Sequence, residues 1–195
     1  MRRTHIKKII IIITITVIVV AARFLSNAVY VPVIIMYHSI GDENAALDGY
    51  GGKLNVDEAV FEKQIRFLYD HKYNVIPLDE FIRRIKRKEH IPRKTVSITF
   101  DDGLRNNFTK AYPVLKKYGF PATIFVATDF IGKDKFLTWD DMKTMQKNNI
   151  KIGSHTVSHA WLPDLSENDI RKELFESKKI LEDGTGRTIE LLSYP

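Results

Sequence analysis

At 195 residues the chain is long enough for one domain of ordinary size with a core of its own. Its 44% hydrophobic and 28% charged residues exclude a disordered polymer, and the lack of cysteine excludes disulfides, thiol nucleophiles and thiolate metal sites. The net charge is +6, but five cations (Arg2, Arg3, Lys7, Lys8, Arg23) and no acid lie in residues 1–30, so the other 165 residues carry only +1. A nearly neutral body has no broad field for phosphates, so no nucleic-acid partner is expected.

The four N-terminal cations precede an apolar run, Ile9 to Ala22, interrupted only by Thr14 and Thr16. Fourteen residues are fewer than the ~20 a helix needs to cross a bilayer, and they suit the apolar part of a secretory signal. Ser26 and Ala28 supply small residues for cleavage. Alternatively, Ala21 to Leu25 extend the run into an uncleaved anchor, with Arg23 reaching the headgroups. Either way residues 1–28 read as a signal peptide or membrane anchor. Residues 29–195 then form an extracytoplasmic domain, secreted or held on the outer face of the cytoplasmic membrane.

Beyond Ala28, short apolar runs alternate with amphipathic stretches. Val31 to Tyr37 is β-rich and leads into a polar Gly41–Gly52 loop. Val56 to Tyr69 repeats apolar residues at helical spacing, Asn74 to Ile76 is a short strand, and Leu78 to Lys88 is a basic amphipathic helix. Thr95 to Phe100 reads as a strand with Val96, Ile98 and Phe100 on one face. A helix follows from Asn107 to Tyr118, stopped by Gly119, then a strand at Ala122–Val126 and a helix from Thr138 to Asn148. Lys151–Gly153 is a short strand, Ser166 caps a helix running to Leu181, and Ile189 to Leu192 begins another strand. This β–α rhythm predicts an α/β fold of parallel strands covered by helices, as a barrel or an open sheet.

Parallel sheets place their chemistry at the C-terminal ends of strands, and two polar clusters fall there. Asp101 and Asp102 leave the strand Val96–Phe100 and are followed by Gly103. They read either as a turn capping the next helix, or as paired carboxylates whose repulsion a cation relieves. His155 and His159 follow Lys151–Gly153. They read either as surface histidines, or as an i,i+4 pair gripping one ion on a helical turn. Two imidazoles and a carboxylate, with positions left for water, form a catalytic kind of metal shell.

Thr99-Phe100-Asp101-Asp102-Gly103, followed about fifty residues later by Ser154-His155 and His159, resembles the polysaccharide deacetylase family, the NodB-like carbohydrate esterases of family 4. Met36-Tyr37-His38-Ser39-Ile40, Phe61-Glu62-Lys63-Gln64-Ile65 and Leu137-Thr138-Trp139-Asp140 add to the resemblance, which covers Val31 to Pro195. It implies a distorted (β/α) barrel with fewer than eight regular strands, and a hydrolase releasing acetate from an N-acetylated cell-surface or cell-wall polysaccharide. Asp101 matches the general base. Asp102, His155 and His159 match the ligands of a divalent metal, usually zinc, with cobalt or manganese as alternatives. Thr156 and Ser158 either buttress the histidines or cap a turn. Trp139 either lines a sugar groove or is core, and His38 either faces the rim or is structural.

Leu192-Ser193-Tyr194-Pro195 resembles the start of the family's third motif, with Ser193 where an Arg normally orients the base. The later motifs, including the histidine that acts as general acid, have no counterpart. The resemblance therefore implies an incomplete barrel, a piece of a longer protein that keeps its metal site and has impaired activity. A catalytically inactive glycan- or metal-binding module is the competing reading. A zinc peptidase is disfavoured by the absence of a His-Glu-x-x-His helix.

Overall fold

The structure of the protein, a computed structural model, describes residues 2–28, 31–41 and 54–195, and divides into two compact units, Met1–Pro32 and Val33–Pro195. The first unit is one helix, α1 (Arg2–Ala28). Its apolar side chains from Ile10 to Val20 are at least half exposed, and Thr14 and Thr16 turn their hydroxyls onto the carbonyls of Ile10 and Ile12, at 2.9 Å each. This back-bonding hides the only polar groups of the run. Among the described residues no helix is long and apolar enough to cross a membrane.

The second unit is an α/β domain. Its strands are β1 (Val33–Tyr37), β2 (Ser39–Ile40), β3 (Asn55–Val56), β4 (Asn74–Val75), β5 (Thr95–Phe100), β6 (Ala122–Val126) and β7 (Ile150–Ser154). Its helices are α2 (Glu58–Asp70), α3 (Leu78–Lys86), α4 (Tyr112–Tyr118), α5 (Trp139–Gln146) and α6 (Glu167–Thr185). Every strand pairing is parallel, in the order β1–β5–β6–β7 with β4 also on β5, and β2 and β3 form a separate pair. The main path is an open sheet.

Central position explains the composition of β5, all six residues of which are buried. Val96, Ile98 and Phe100 share one face, as their spacing predicts, and join Ile124, Phe61, Ile65, Leu115, Met142 and Leu181 in the main core. The opposite face is buried as well, so its polar residues need partners; the Ser97 hydroxyl donates to the Ile76 carbonyl at 2.8 Å. Helix α2 docks through Phe61, Ile65 and Leu68, one stripe at helical spacing. Burying each such side chain contributes about 1.5–3 kcal/mol. The Asp57 carboxylate starts the helix by accepting the Ala59 and Val60 N–H groups at 2.9 and 3.1 Å.

Three expectations are corrected or left aside. The helix expected over Asn107–Tyr118 is π-helical from Asn107 to Ala111 before α4 begins, though it does stop at Gly119 in a left-handed cap. Pro113 has no N–H to give the preceding turn, which widens instead. The strand expected at Ile189–Leu192 is a single bridge, Leu192 beside Ser154. Side chains of α6 take the groups a ladder would use: Ile189 donates its N–H to Glu182 Oε1 at 2.9 Å and accepts from Lys178 Nζ. Beyond Gly41, the expected Gly41–Gly52 loop lies outside the described residues.

Trp139 belongs to the core rather than to a groove. It is half-buried against the main cluster, and its ring lies where a Cβ on Gly184 would be, 2.6 Å from Cε3. That close approach joins α5 to α6. Gly184→Ala is expected to force the ring aside and destabilise the domain by about 1–3 kcal/mol despite the better helix propensity of alanine. A denaturant midpoint unchanged or raised by the substitution would contradict this packing.

Candidate metal site

The sheet brings the two polar clusters together at the C-terminal ends of β5 and β7. Asp101 continues the β1–β5 ladder, donating its N–H to the Tyr37 carbonyl at 2.9 Å. The chain then turns through two left-handed residues, Asp102 at φ 70° and Gly103 at φ 71°. A Cβ on Gly103 would sit 3.1 Å from Val126, so only glycine lets the turn lie this close to β6. On the other side His155 donates its N–H to the Val126 carbonyl at 3.0 Å.

The result is a compact cluster. Asp102 Oδ1 is 3.0 Å from His159 Nε2 and 3.3 Å from His155 Nε2, and the three ligand atoms lie within 4.8 Å of one another. Zinc bonds of ~2.0–2.2 Å in tetrahedral geometry separate ligand atoms by roughly 3.3–3.6 Å, so the cluster fits a single ion after small adjustments. His155 Nδ1 donates to the Ser193 carbonyl at 2.9 Å, which turns Nε2 toward Asp102, where it donates to the carboxylate when protonated and offers its lone pair to a cation when not. Side-chain exposure rises from 2% at His155 to 15% at Asp102 and 30% at His159, so the cluster is reached from one side. Asp101 stands outside the trio; its Oδ2 accepts from the Ser193 hydroxyl at 3.4 Å.

Burial and pairing set the charges. Burial alone would raise the Asp102 pKa, but hydrogen bonds from His155 and His159 prevail and hold it well below the usual carboxylate range. His159 is raised, chiefly by its hydrogen bond to Asp102. Burial raises Asp101, with Asp102 adding to the rise and the charges of His155 and His38 opposing it. His38 thus lies within electrostatic reach of both aspartates, and its backbone carbonyl accepts from Asn107 Nδ2 at 2.7 Å.

The i,i+4 histidines do not lie on a helical turn. Residues 155–159 form an irregular loop with Thr156 at φ 70° and His159 at φ 60°. Left-handed φ is costly for a β-branched residue such as Thr156 and persists only where surroundings over-determine it. Helix α6 supplies those surroundings. The Thr156 N–H donates to Ser154 Oγ (3.2 Å), Ser154 is bonded to Ser177 Oγ (2.7 Å), and Ser177 donates to the Leu174 carbonyl (3.1 Å). One helical turn earlier, Glu173 Oε2 accepts the N–H groups of Val157 (2.7 Å) and Ser158 (2.9 Å), and Oε1 accepts the Ser158 hydroxyl (2.7 Å). Burial would raise the Glu173 pKa; the bonds from Ser158 and Val157 outweigh it and lower it. Thr156 Oγ1 accepts the His159 N–H at 3.1 Å, so Thr156 and Ser158 support the loop backbone.

Motif reading included Ser154 without a role and missed Ser177, Glu173 and the Ser193 carbonyl. The signal available was a polar residue, Ser177, on the buried stripe of α6 that leads to Leu181. Ser154→Ala breaks the hydroxyl relay and leaves the buried Thr156 N–H unpaired, an expected loss of about 1–3 kcal/mol in denaturant unfolding. The Ser154→Ala/Ser177→Ala double variant is expected to lose less than the sum of the single losses. Additive losses would mean the two hydroxyls act independently.

A parallel α/β domain with a His–His–Asp cluster at its strand ends is the class that fold and site define. The polysaccharide deacetylase family model matches residues 88–195. A Bacillus subtilis relative, YxkH, whose name places it among the polysaccharide deacetylases, is 36% identical over 162 residues, 83% of this chain and 55% of its own length. The poly-β-1,6-N-acetyl-D-glucosamine N-deacetylase of Staphylococcus aureus is 32% identical over 155 residues, 72% of this chain and 53% of its own. Among solved structures, the Streptococcus pyogenes deacetylase PplD in complex with acetate superposes with a TM-score of 0.75 at 30% identity, covering 83% of this chain and 72% of PplD. The polysaccharide deacetylase BC0361 of Bacillus cereus follows at 0.70 and 29%, covering 83% of this chain and 49% of its own. The chain belongs to the polysaccharide deacetylase family. It spans about half the length of the curated relatives it matches.

Proposed function

We propose that the protein supplies the metal site and general base for hydrolysis of N-acetyl groups on an N-acetylglucosamine polymer, a cell-surface or cell-wall polysaccharide. The observation that carries this reading is the Asp102–His155–His159 cluster, beside a buried aspartate outside it. Asp102 Oδ1 and the Nε2 atoms of His155 and His159 would hold the ion, zinc by donor type, with cobalt or manganese also compatible. When bound, such an ion polarises an acetamide carbonyl and lowers the pKa of water. Asp101 takes the proton from the attacking water, and the burial that raises its pKa makes it a stronger base near neutral pH. The Ser193 hydroxyl orients Asp101, at the position that matches the arginine of the family's third motif, and the Ser193 carbonyl orients His155. The half-exposed side of His159 is where a sugar chain would approach.

Residues 1–28 are proposed as the export signal or anchor of an extracytoplasmic protein, from the four cations before an apolar helix. Impaired activity of these residues by themselves is proposed from the half-length match, since the relatives' additional length has room for a proton donor to the leaving amine. A non-catalytic glycan- or metal-binding module is the second reading, favoured by that half-length match.

A chimaera separates the two readings, with residues 33–195 replacing the matching segment of the staphylococcal N-deacetylase. The enzyme reading expects zinc-dependent acetate release from an N-acetylglucosamine oligomer, reduced at least ~100-fold by Asp101→Asn with zinc still bound. A folded, zinc-loaded chimaera that releases no acetate would leave only the binding module.

A further inference from the structure

We propose that Glu173 of α6 is a positioning residue that sets the metal affinity of the His155–His159 pair; this rests on the metal reading above. An i,i+4 histidine pair ordinarily gets its geometry from helical periodicity. Here the intervening residues are irregular and include the strained Thr156, so the spacing must be imposed from outside the loop. Among the described residues, the one carboxylate that bonds to the loop at residues 156–158 is that of Glu173, through two amides and one hydroxyl at 2.7–2.9 Å.

Short bonds from N–H groups to a carboxylate are among the stronger ones in proteins. Both Val157 and Ser158 amides point at a single oxygen, Oε2, which fixes the orientation of two successive peptide planes. Those planes sit between the two ligands, so their orientation sets where each imidazole begins. The Ser154–Ser177–Leu174 relay arises from the following turn of α6 and holds the Thr156 amide. Glu173 therefore controls the half of the loop nearest His159, the more exposed ligand. Its charge is not committed to a cation: the groups that lower its pKa are the loop's own Ser158, Val157 and Thr156. A surface glutamate kept for solubility would have no reason to face inward in this way. Carboxylates that orient metal-binding groups typically change metal affinity by 10–100-fold when removed.

The test uses the full chain, loaded with zinc in calorimetric titration and with cobalt(II) for its visible absorption. Glu173→Ala is expected to weaken zinc binding about tenfold or more and to lower the intensity of the cobalt bands; Glu173→Gln, which keeps one acceptor oxygen, is expected to fall between wild type and Ala. Hydrogen exchange of the apo protein provides the check on folding. Val157 and Ser158 amides should exchange faster in Glu173→Ala while the amide of Leu181 on α6 keeps its protection. Should Glu173→Ala misfold, the Gln variant and Ser158→Ala, which removes only the hydroxyl bond, give the same reading on a smaller scale. Wild-type affinity in a folded Glu173→Ala would overturn this inference and leave the metal site standing. A wild-type chain that binds neither zinc nor cobalt would overturn both.

Discussion

A carboxylate held between two imidazoles, 3.0 and 3.3 Å from their Nε2 atoms, is the contact around which the strand ends are arranged. Three side chains offering lone pairs to one point are not a stable object by themselves, because acceptors that converge repel and their desolvation is costly. A proton shared between imidazole and carboxylate relieves the conflict in part, which is why His159 is raised and Asp102 lowered. A divalent cation would relieve it more completely, by attracting all three groups at once. The same electrostatics accounts for the adjacent Asp101, whose burial makes it a better base while the charges of His155 and His38 oppose the rise.

Convergence of this kind has a conformational cost, and the chain concentrates it. Asp102, Thr156 and His159 all adopt left-handed φ, a region that residues with a Cβ enter at an expense of order 1–3 kcal/mol each. The offset comes from elements that carry no ligand. Gly103 permits close approach to β6, the Ser193 carbonyl aligns His155, and the Ser154–Ser177 relay and Glu173 tie the loop to α6. Helix α6 in turn rests on α5 through the Gly184–Trp139 contact, whose residues are themselves no ligands. Local geometry at the site is thus underwritten by ordinary packing on the flank of the sheet.

Much of this was legible in the residues alone. The β–α rhythm gave parallel strands because apolar periodicity switches between two and 3.6, and the strand Val96–Phe100 put Asp101-Asp102-Gly103 at a strand exit, where the acids read as a turn or as partners of a cation. The order of the strands was not legible: β5 lies between β1 and β6 although β4 precedes it in the chain, an arrangement set by long-range pairing. Ile189–Leu192 read as a strand because its composition is apolar, yet Lys178 and Glu182 capture its backbone groups, a competition invisible from periodicity. The histidine loop was misread as helical for a similar reason. The i,i+4 spacing is equally satisfied by two left-handed kinks, and partners distant in sequence, on α6 and at the Thr128 and Asp129 amides, decide between them. Glu173 itself looks like any solvated helix residue until the loop is folded against it.

The most direct measurement is X-ray absorption at the zinc edge, combined with anomalous diffraction from the zinc-loaded protein. One zinc should appear per chain, with two imidazole nitrogens and a carboxylate oxygen at about 2.0–2.2 Å, assigned by the anomalous peak to His155, His159 and Asp102. A zinc ion found elsewhere on the protein, or a shell lacking the Asp102 oxygen, would contradict the account.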